Sequence, residues 1–333
     1  GLLSTTSLLR FFQNNMNRIR IIFHFLQRNR FIFGAGFGCL LFIFIVGHMD
    51  LQTILAQILH ADFTLLALSI FPIFLSHCLS ILRWRVFLRL GGYNIKLSKL
   101  FRIFFANLPA TKFFPAYSGD LLRVLYVSKI VPHQFHVGVI FIEAILDVVI
   151  LLTLAFIGAL AVGSTHGATA VLSVLAILVV VLISSRGVFS HMAIRFKLED
   201  ATRVFRLLRV DVVIFSKVIF LTLLAWSMTG LFVLIVFYAF GLKVLPTAVL
   251  FAQPIVTLGS LVPISIGGIG LREGIMLVLY GYLENPSVVL SVAAYYSFVS
   301  VVLYPLLCMP LYFAMLRKSR ENIAMVVHED GVV

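Results

Sequence analysis

Leu-Val-Pro-Ile-Ser-Ile-Gly-Gly-Ile-Gly-Leu-Arg-Glu, residues 261–273, breaks an otherwise apolar run with a proline, three glycines and two opposite charges. A second break lies in the other half of the chain. There Pro115, Ala116, Tyr117, Ser118 and Gly119 lead into Asp120, Leu121, Leu122 and Arg123. Each break sets Pro, then Gly, then Arg beside a carboxylate. Broken backbone and charge survive in hydrocarbon only where protein or a wet cavity surrounds them. A matching pair of breaks in two halves is the pattern of a transporter's binding site.

The 333 residues are 61% hydrophobic and 12% charged, with a mean hydropathy of +1.10. That charge is about half of what soluble domains carry, so an integral membrane protein is expected. The formal net charge of +13 does not point to nucleic acid, because the basic residues lie between apolar spans, as in cytoplasmic loops. Cys39, Cys78 and Cys308 all fall in apolar segments with no Cys/His ligand spacing. They read as small hydrophobes, with no disulfide and no metal expected. The polar stretch 186–212 is too short for a soluble domain. No cofactor motif is evident, and a P-loop is missing. The sequence starts on Gly1 rather than Met, which suits a trimmed chain or a fragment.

A spanning helix takes roughly 20 apolar residues. Segments 31–48, 63–82, 134–162, 168–185, 213–240 and 288–316 qualify. Segments 100–128 and 247–283 carry the breaks and have room for two half-helices and a turn. Lys and Arg concentrate in 1–30, 83–102, 186–217 and the tail after Leu316, whereas 49–62, 163–167 and 284–287 hold none. That alternation is self-consistent if both broken segments return to the side they left. The fold class expected is therefore all-α, with about six spanning helices, two re-entrant broken helices and an inverted 3+3 repeat. Gly92 precedes Pro115 by 23 positions and Gly241 precedes Pro263 by 22, which supports the repeat. The alternative is two Pro-kinked full spans, eight in all. Residues 1–30 form a basic interfacial segment, 31–320 the transmembrane domain with halves 31–163 and 168–316, and 321–333 a cytoplasmic tail. A signal peptide fits residues 1–30 less well, for want of a cleavage site.

Each Arg follows a Gly by four positions, one turn into a half-helix. A helix N-terminus is an anion site, and an Arg one turn in adds a bidentate phosphate donor. Arg272 and Arg123, with Gly267, Gly268, Gly119 and Ser265, are the candidate head-group residues. The competing reading pairs Arg123 with Asp120 and Arg272 with Glu273 or another acid. Glu143 and Asp147 share one face of a span at i, i+4 and, with Asp120 and Glu273, balance the arginines or relay protons. General acid/base work by the same pair lacks a neighbouring nucleophile. Lys112, Asn107 and His77 are candidate cavity residues, although a packed, hydrogen-bonded His77 is the more ordinary reading. His133 and His136 make a poor metal site without a third ligand. Trp84, between Arg83 and Arg85, reads as an interface anchor. Residues 51–59 and 192–209 read as surface helices. Pro305 and Pro310 should kink the last span, with Tyr295, Tyr296 and Tyr304 near the cavity.

With these residues in view, the sequence resembles the lysylphosphatidylglycerol synthase membrane region, or flippase-like domain, family. Residues 261–273 are similar to its P-x-x-x-G-G-x-G-x-x-E signature. Asn107 through Arg123 resemble its N-x-x-P…G-G-D-x-x-R segment, with Ser118 where the family usually has Gly. Arg83 and Gly91 match its early R…G pattern, and the resemblance covers most of 30–320. It implies a multi-pass protein of a bacterial or archaeal cytoplasmic membrane, with both termini inside, that moves lipids between leaflets. Family members append an aminoacyltransferase or a glycosyltransferase, and the residues given hold neither. The expectation is a translocase for an anionic lipid or lipid-linked precursor, with no nucleic-acid partner. The rivals are a membrane-embedded enzyme acting on a lipid phosphate or lipid-linked sugar, and a non-catalytic partner of a synthase or glycosyltransferase.

Overall fold

The computed structural model describes residues 51–113, 120, 122–177, 204, 207, 211–261, 267–281 and 286–315. Among these the chain is all helix. The elements are α1 (Leu51–His60), α2 (Phe63–Leu90), α3 (Leu97–Phe113), α4 (Leu122–Val127) and α5 (His133–Ala161). They continue with α6 (Thr165–Ile177), α7 (Val212–Ala239), α8 (Pro246–Ser260), α9 (Leu271–Tyr280) and α10 (Pro286–Met315). Helices α2, α5, α7 and α10 are each long and apolar enough to cross a bilayer. The anticipated span at 31–48 lies outside the described residues, and α6 is the described part of 168–185. Phe71, Phe220, Val278 and Phe313 stay exposed on the outer faces, as lipid-facing side chains do in a membrane domain.

Local signals set the helix ends. Asp62 and Asp211 cap α2 and α7, accepting backbone N–H groups from Thr64 and Ile214 at 2.8 and 2.9 Å. At the far ends Gly92 (φ 90°) and Gly241 (φ 79°) turn left-handed. The next residue's N–H, in Tyr93 and Leu242, then bonds back to Leu88 and Phe237 at 2.9 and 3.0 Å. This is the same Schellman closure in both halves.

Long helices α2 and α7 pack antiparallel, with the Asp62 N–H bonded to the Ala239 carbonyl at 2.8 Å. Their seam joins an apolar cluster of Leu79, Leu221 and Ala225 to a polar contact, Ser76 against Thr229 at 3.2 Å. Helices α5 and α8 touch at Gly158. A Cβ there would lie 2.4 Å from the Phe251 backbone nitrogen, so the absent side chain is what admits the close approach.

Both broken segments form half-helix pairs that come back to the end they left. Phe135, at the start of α5, packs on Gly91 and on the Tyr93 ring 5.1 Å away, at the end of α2. The α3–α4 excursion between them is thus a hairpin. Tyr280, closing α9, lies 4.8 Å from the Phe237 ring near the end of α7, so α8–α9 is a hairpin as well. Neither α8, 15 residues and ~22 Å long, nor α9 reaches across a ~30 Å hydrocarbon core. The two hairpins enter from opposite ends, because the end of α2 and the end of α7 are opposite. Their tips meet: a Cβ on Gly267 would sit 3.6 Å from the Lys112 carbonyl oxygen.

Trp84 departs from the expected interface position. It is fully buried, because α2 runs on to Leu90 rather than ending near residue 82. Arg83 is carried inside with it.

Candidate functional site

A cavity of about 240 Å³ opens where the hairpin tips meet the α2–α7 seam. Its wall brings together Arg83, Lys112, Asp147, Gly268 and Arg272 from separate elements, with His77 on α2. Two charged clusters flank it, and they are built differently.

The first cluster joins α2, α4 and α5. Arg83 forks onto Asp147, donating from Nη1 to Oδ1 at 2.6 Å and from Nη2 to Oδ2 at 3.2 Å. It also lies 3.5 Å from Glu143 and donates to the Thr222 hydroxyl at 3.1 Å. The Trp226 ring N–H donates to Asp147 at 2.9 Å. The i, i+4 spacing puts Glu143 one turn before Asp147 on the same face. There Glu143 meets Arg123 at 3.2 Å, and Arg123 also meets Asp120 at 3.2 Å. Asn107 donates to Asp120 at 3.5 Å. Arg123 lies over the Trp84 and Phe104 rings, 5.2 and 5.7 Å from their centroids, and is not among the described lining residues. Trp84 in turn donates its ring N–H to His136 Nε2 at 3.0 Å. That contact occupies the nitrogen a metal would need.

The second cluster belongs to residues 267–273 and α10. Gly267, Gly268 and Gly270 all have positive φ, at 61°, 79° and 81°. These are values that L side chains rarely adopt. The turn starts α9 with Arg272 in its first turn. Arg272 is 6% exposed. Its Nη1 donates to the Ser297 and Ser300 hydroxyls at 3.0 and 2.9 Å, and its Nη2 to the Gly267 carbonyl at 3.0 Å. Its face lies 4.4 Å from the Tyr296 ring centroid, and its Nε is buried without a partner. Glu273 does not pair with Arg272. It accepts the Gly270 N–H at 2.6 Å and the Ser297 hydroxyl, closing the α9 N-terminus.

Ser297 and Ser300 reach Arg272 together where α10 turns π-helical over Phe298–Leu303. Pro305 has no N–H for the residue four before it, and the Tyr304 N–H instead bonds Val299 five back. Such π turns recur at functional sites. The expected kink is thus a change of register.

Of the residues the sequence singled out, Arg272, Lys112, Gly267, Gly268, Asp147, His77, Tyr296 and Tyr304 share the cavity wall. Tyr295 instead donates to the Leu66 carbonyl at 2.8 Å. Gly119 and Ser265 lie outside the described residues. Arg83 is the wall residue that span counting placed in a loop. The family-like R…G pattern was the one signal marking it.

A helical bundle with opposed hairpins and buried charges around a cavity defines a polytopic membrane domain. The chain belongs to the Lysylphosphatidylglycerol synthase TM region family, which matches residues 31–308. That membership makes it a membrane domain linked to lipid handling. No individual curated protein matches it.

Proposed function

We propose that this domain carries a lipid with an anionic head group from one leaflet to the other. The observation behind the reading is the pair of cations, Lys112 and Arg272, on one cavity wall at the contact of two opposed hairpins. Among the described residues neither has a carboxylate within ion-pair distance. A buried charge such as Arg272 is ordinarily paired, so an anion is the natural complement. The Gly267 and Gly268 turn brings backbone close to the head group, while the tails stay in lipid.

In this reading Arg83 and Arg123 do not grip the ligand. Asp147, Glu143 and Asp120 hold them, which locks the α3–α4 hairpin against α5. Glu273 secures the other hairpin. Helix α2 with its hairpin and α5 form one half, and α7, α8–α9 and α10 form its inverted counterpart. Movement of one against the other alternates access. The basic residues Arg89, Lys96 and Lys99 support a cytoplasmic position for that end.

Proteoliposomes carrying fluorescent anionic lipid in the inner leaflet test this. Protein-dependent exchange without chemical change, abolished in Arg272→Ala, is the expected result. Appearance of a chemically altered lipid would replace the carrier with an enzyme. Exchange that needs an added synthase or glycosyltransferase would make the domain a partner subunit.

A further inference from the structure

Resting on the carrier reading, the charge inventory of the cavity narrows the ligand: we infer that the head group it fits is a lipid phosphomonoester, which carries two negative charges on one small phosphate. Among the described residues the wall presents three cations, Arg83, Lys112 and Arg272, against one carboxylate, Asp147. Asp147 is already engaged by both Arg83 amino groups and by the Trp226 ring N–H. Two cations therefore remain.

Every described carboxylate is committed elsewhere. Asp62 and Asp211 cap helices. Glu143 and Asp120 hold Arg123. Glu273 takes the Gly270 N–H and the Ser297 hydroxyl. Asp120 is the acid whose field reaches Lys112, and Lys112 and Arg272 repel each other. A group placed between them is favoured in proportion to its negative charge.

Donor geometry agrees. A guanidinium has five N–H groups. Arg272 spends three of its five on Ser297, Ser300 and Gly267. The Nε–H is enclosed by protein without a partner, which leaves the second Nη2–H as the donor a ligand in the cavity can meet. A terminal phosphate offers three oxygens, enough to meet this side chain and Lys112 together, whereas a diester buries one in its second ester link. The volume of about 240 Å³ falls below the roughly 300–1,000 Å³ of pockets that enclose whole ligands. It suits a bare phosphate better than a phosphate with a large substituent. A head group bearing an amine would add positive charge beside two cations that, among the described residues, have no carboxylate within ion-pair distance.

Trp226 lines the cavity, so its fluorescence reports occupancy. The purified full chain in detergent is titrated with short-chain phosphatidic acid, with phosphatidylglycerol of the same tails, with its lysyl ester, and with inorganic phosphate. The expected order puts the monoester ahead of the diester by about tenfold or more, the lysyl ester last, and the signal is lost in Trp226→Phe. Lys112→Gln and Arg272→Gln each shrink the monoester preference, whereas Lys112→Arg, which keeps the charge, preserves it and controls for folding. Equal affinity for monoester and diester, or tighter binding of the lysyl ester, overturns the inference. Inorganic phosphate binding as tightly as phosphatidic acid overturns the lipid assignment. If liposomes still exchange the diester in those cases, the carrier reading stands alone. If no lipid binds and none is exchanged, both fall.

Discussion

At the scale of single residues, the two arginines of the sequence motifs have parted company. Arg272 is held by neutral hydroxyls, a carbonyl and a ring, and it lines the cavity. Arg123 is neutralised by two carboxylates behind Trp84. Removing the charge from Arg83 leaves Asp147 buried without its main partner. Arg83→Met is expected to cost about 3–5 kcal/mol, read as unfolding free energy in detergent, and Arg83→Met with Asp147→Leu to recover much of it. Gly268 has φ 79°, and a Cβ there would approach the Ser260 Cβ to 2.9 Å. Gly268→Ala should lose about 1–2 kcal/mol from the left-handed backbone alone. It should also slow lipid exchange, because the turn that aims Arg272 would shift. Wild-type stability and exchange in that variant would show that the turn is not under this constraint.

At the scale of elements, the hairpins were legible because Pro and Gly inside apolar runs have few other uses. The Schellman ends at Gly92 and Gly241 were legible for the same reason. The length of α2 was not. Counting apolar residues ends the helix near residue 82, since Arg83 and Arg85 look like loop residues. The helix continues because Arg83 finds Glu143 and Asp147 on α5, 60 and 64 residues away in the chain. A one-dimensional pattern cannot see that pairing. Gly158 makes the converse point. Nothing local distinguishes it, yet it admits the α8 backbone. Gly158→Leu should force α5 and α8 apart and lower the thermal midpoint by several degrees or abolish folding. A variant as stable as wild type would mean the two helices can separate at little cost.

At the scale of the whole molecule, the contacts put the end of α5 and the start of α10 at one end, and the ends of α2 and α3–α4's entry at the other. Single cysteines at Thr165 and Ser287, in a background lacking Cys39, Cys78 and Cys308, should label with an impermeant reagent from the same face. A cysteine at Lys96 should label from the opposite face. Opposite labelling of Thr165 and Ser287 would make one hairpin a full span and remove the inverted arrangement.

The sequence by itself determined that this is an all-helical membrane domain with two Pro/Gly breaks, each beside an Arg and an acid. Hydropathy, Pro and Gly act locally, so their consequences can be read along the chain. Only the tertiary structure decided which arginine faces the cavity, that Arg83 joins the wall and that Lys112 has no acid within ion-pair distance among the described residues. Those outcomes depend on which carboxylate reaches which cation once the helices pack. Buried charge is settled by distances of a few ångströms that sequence spacing does not contain.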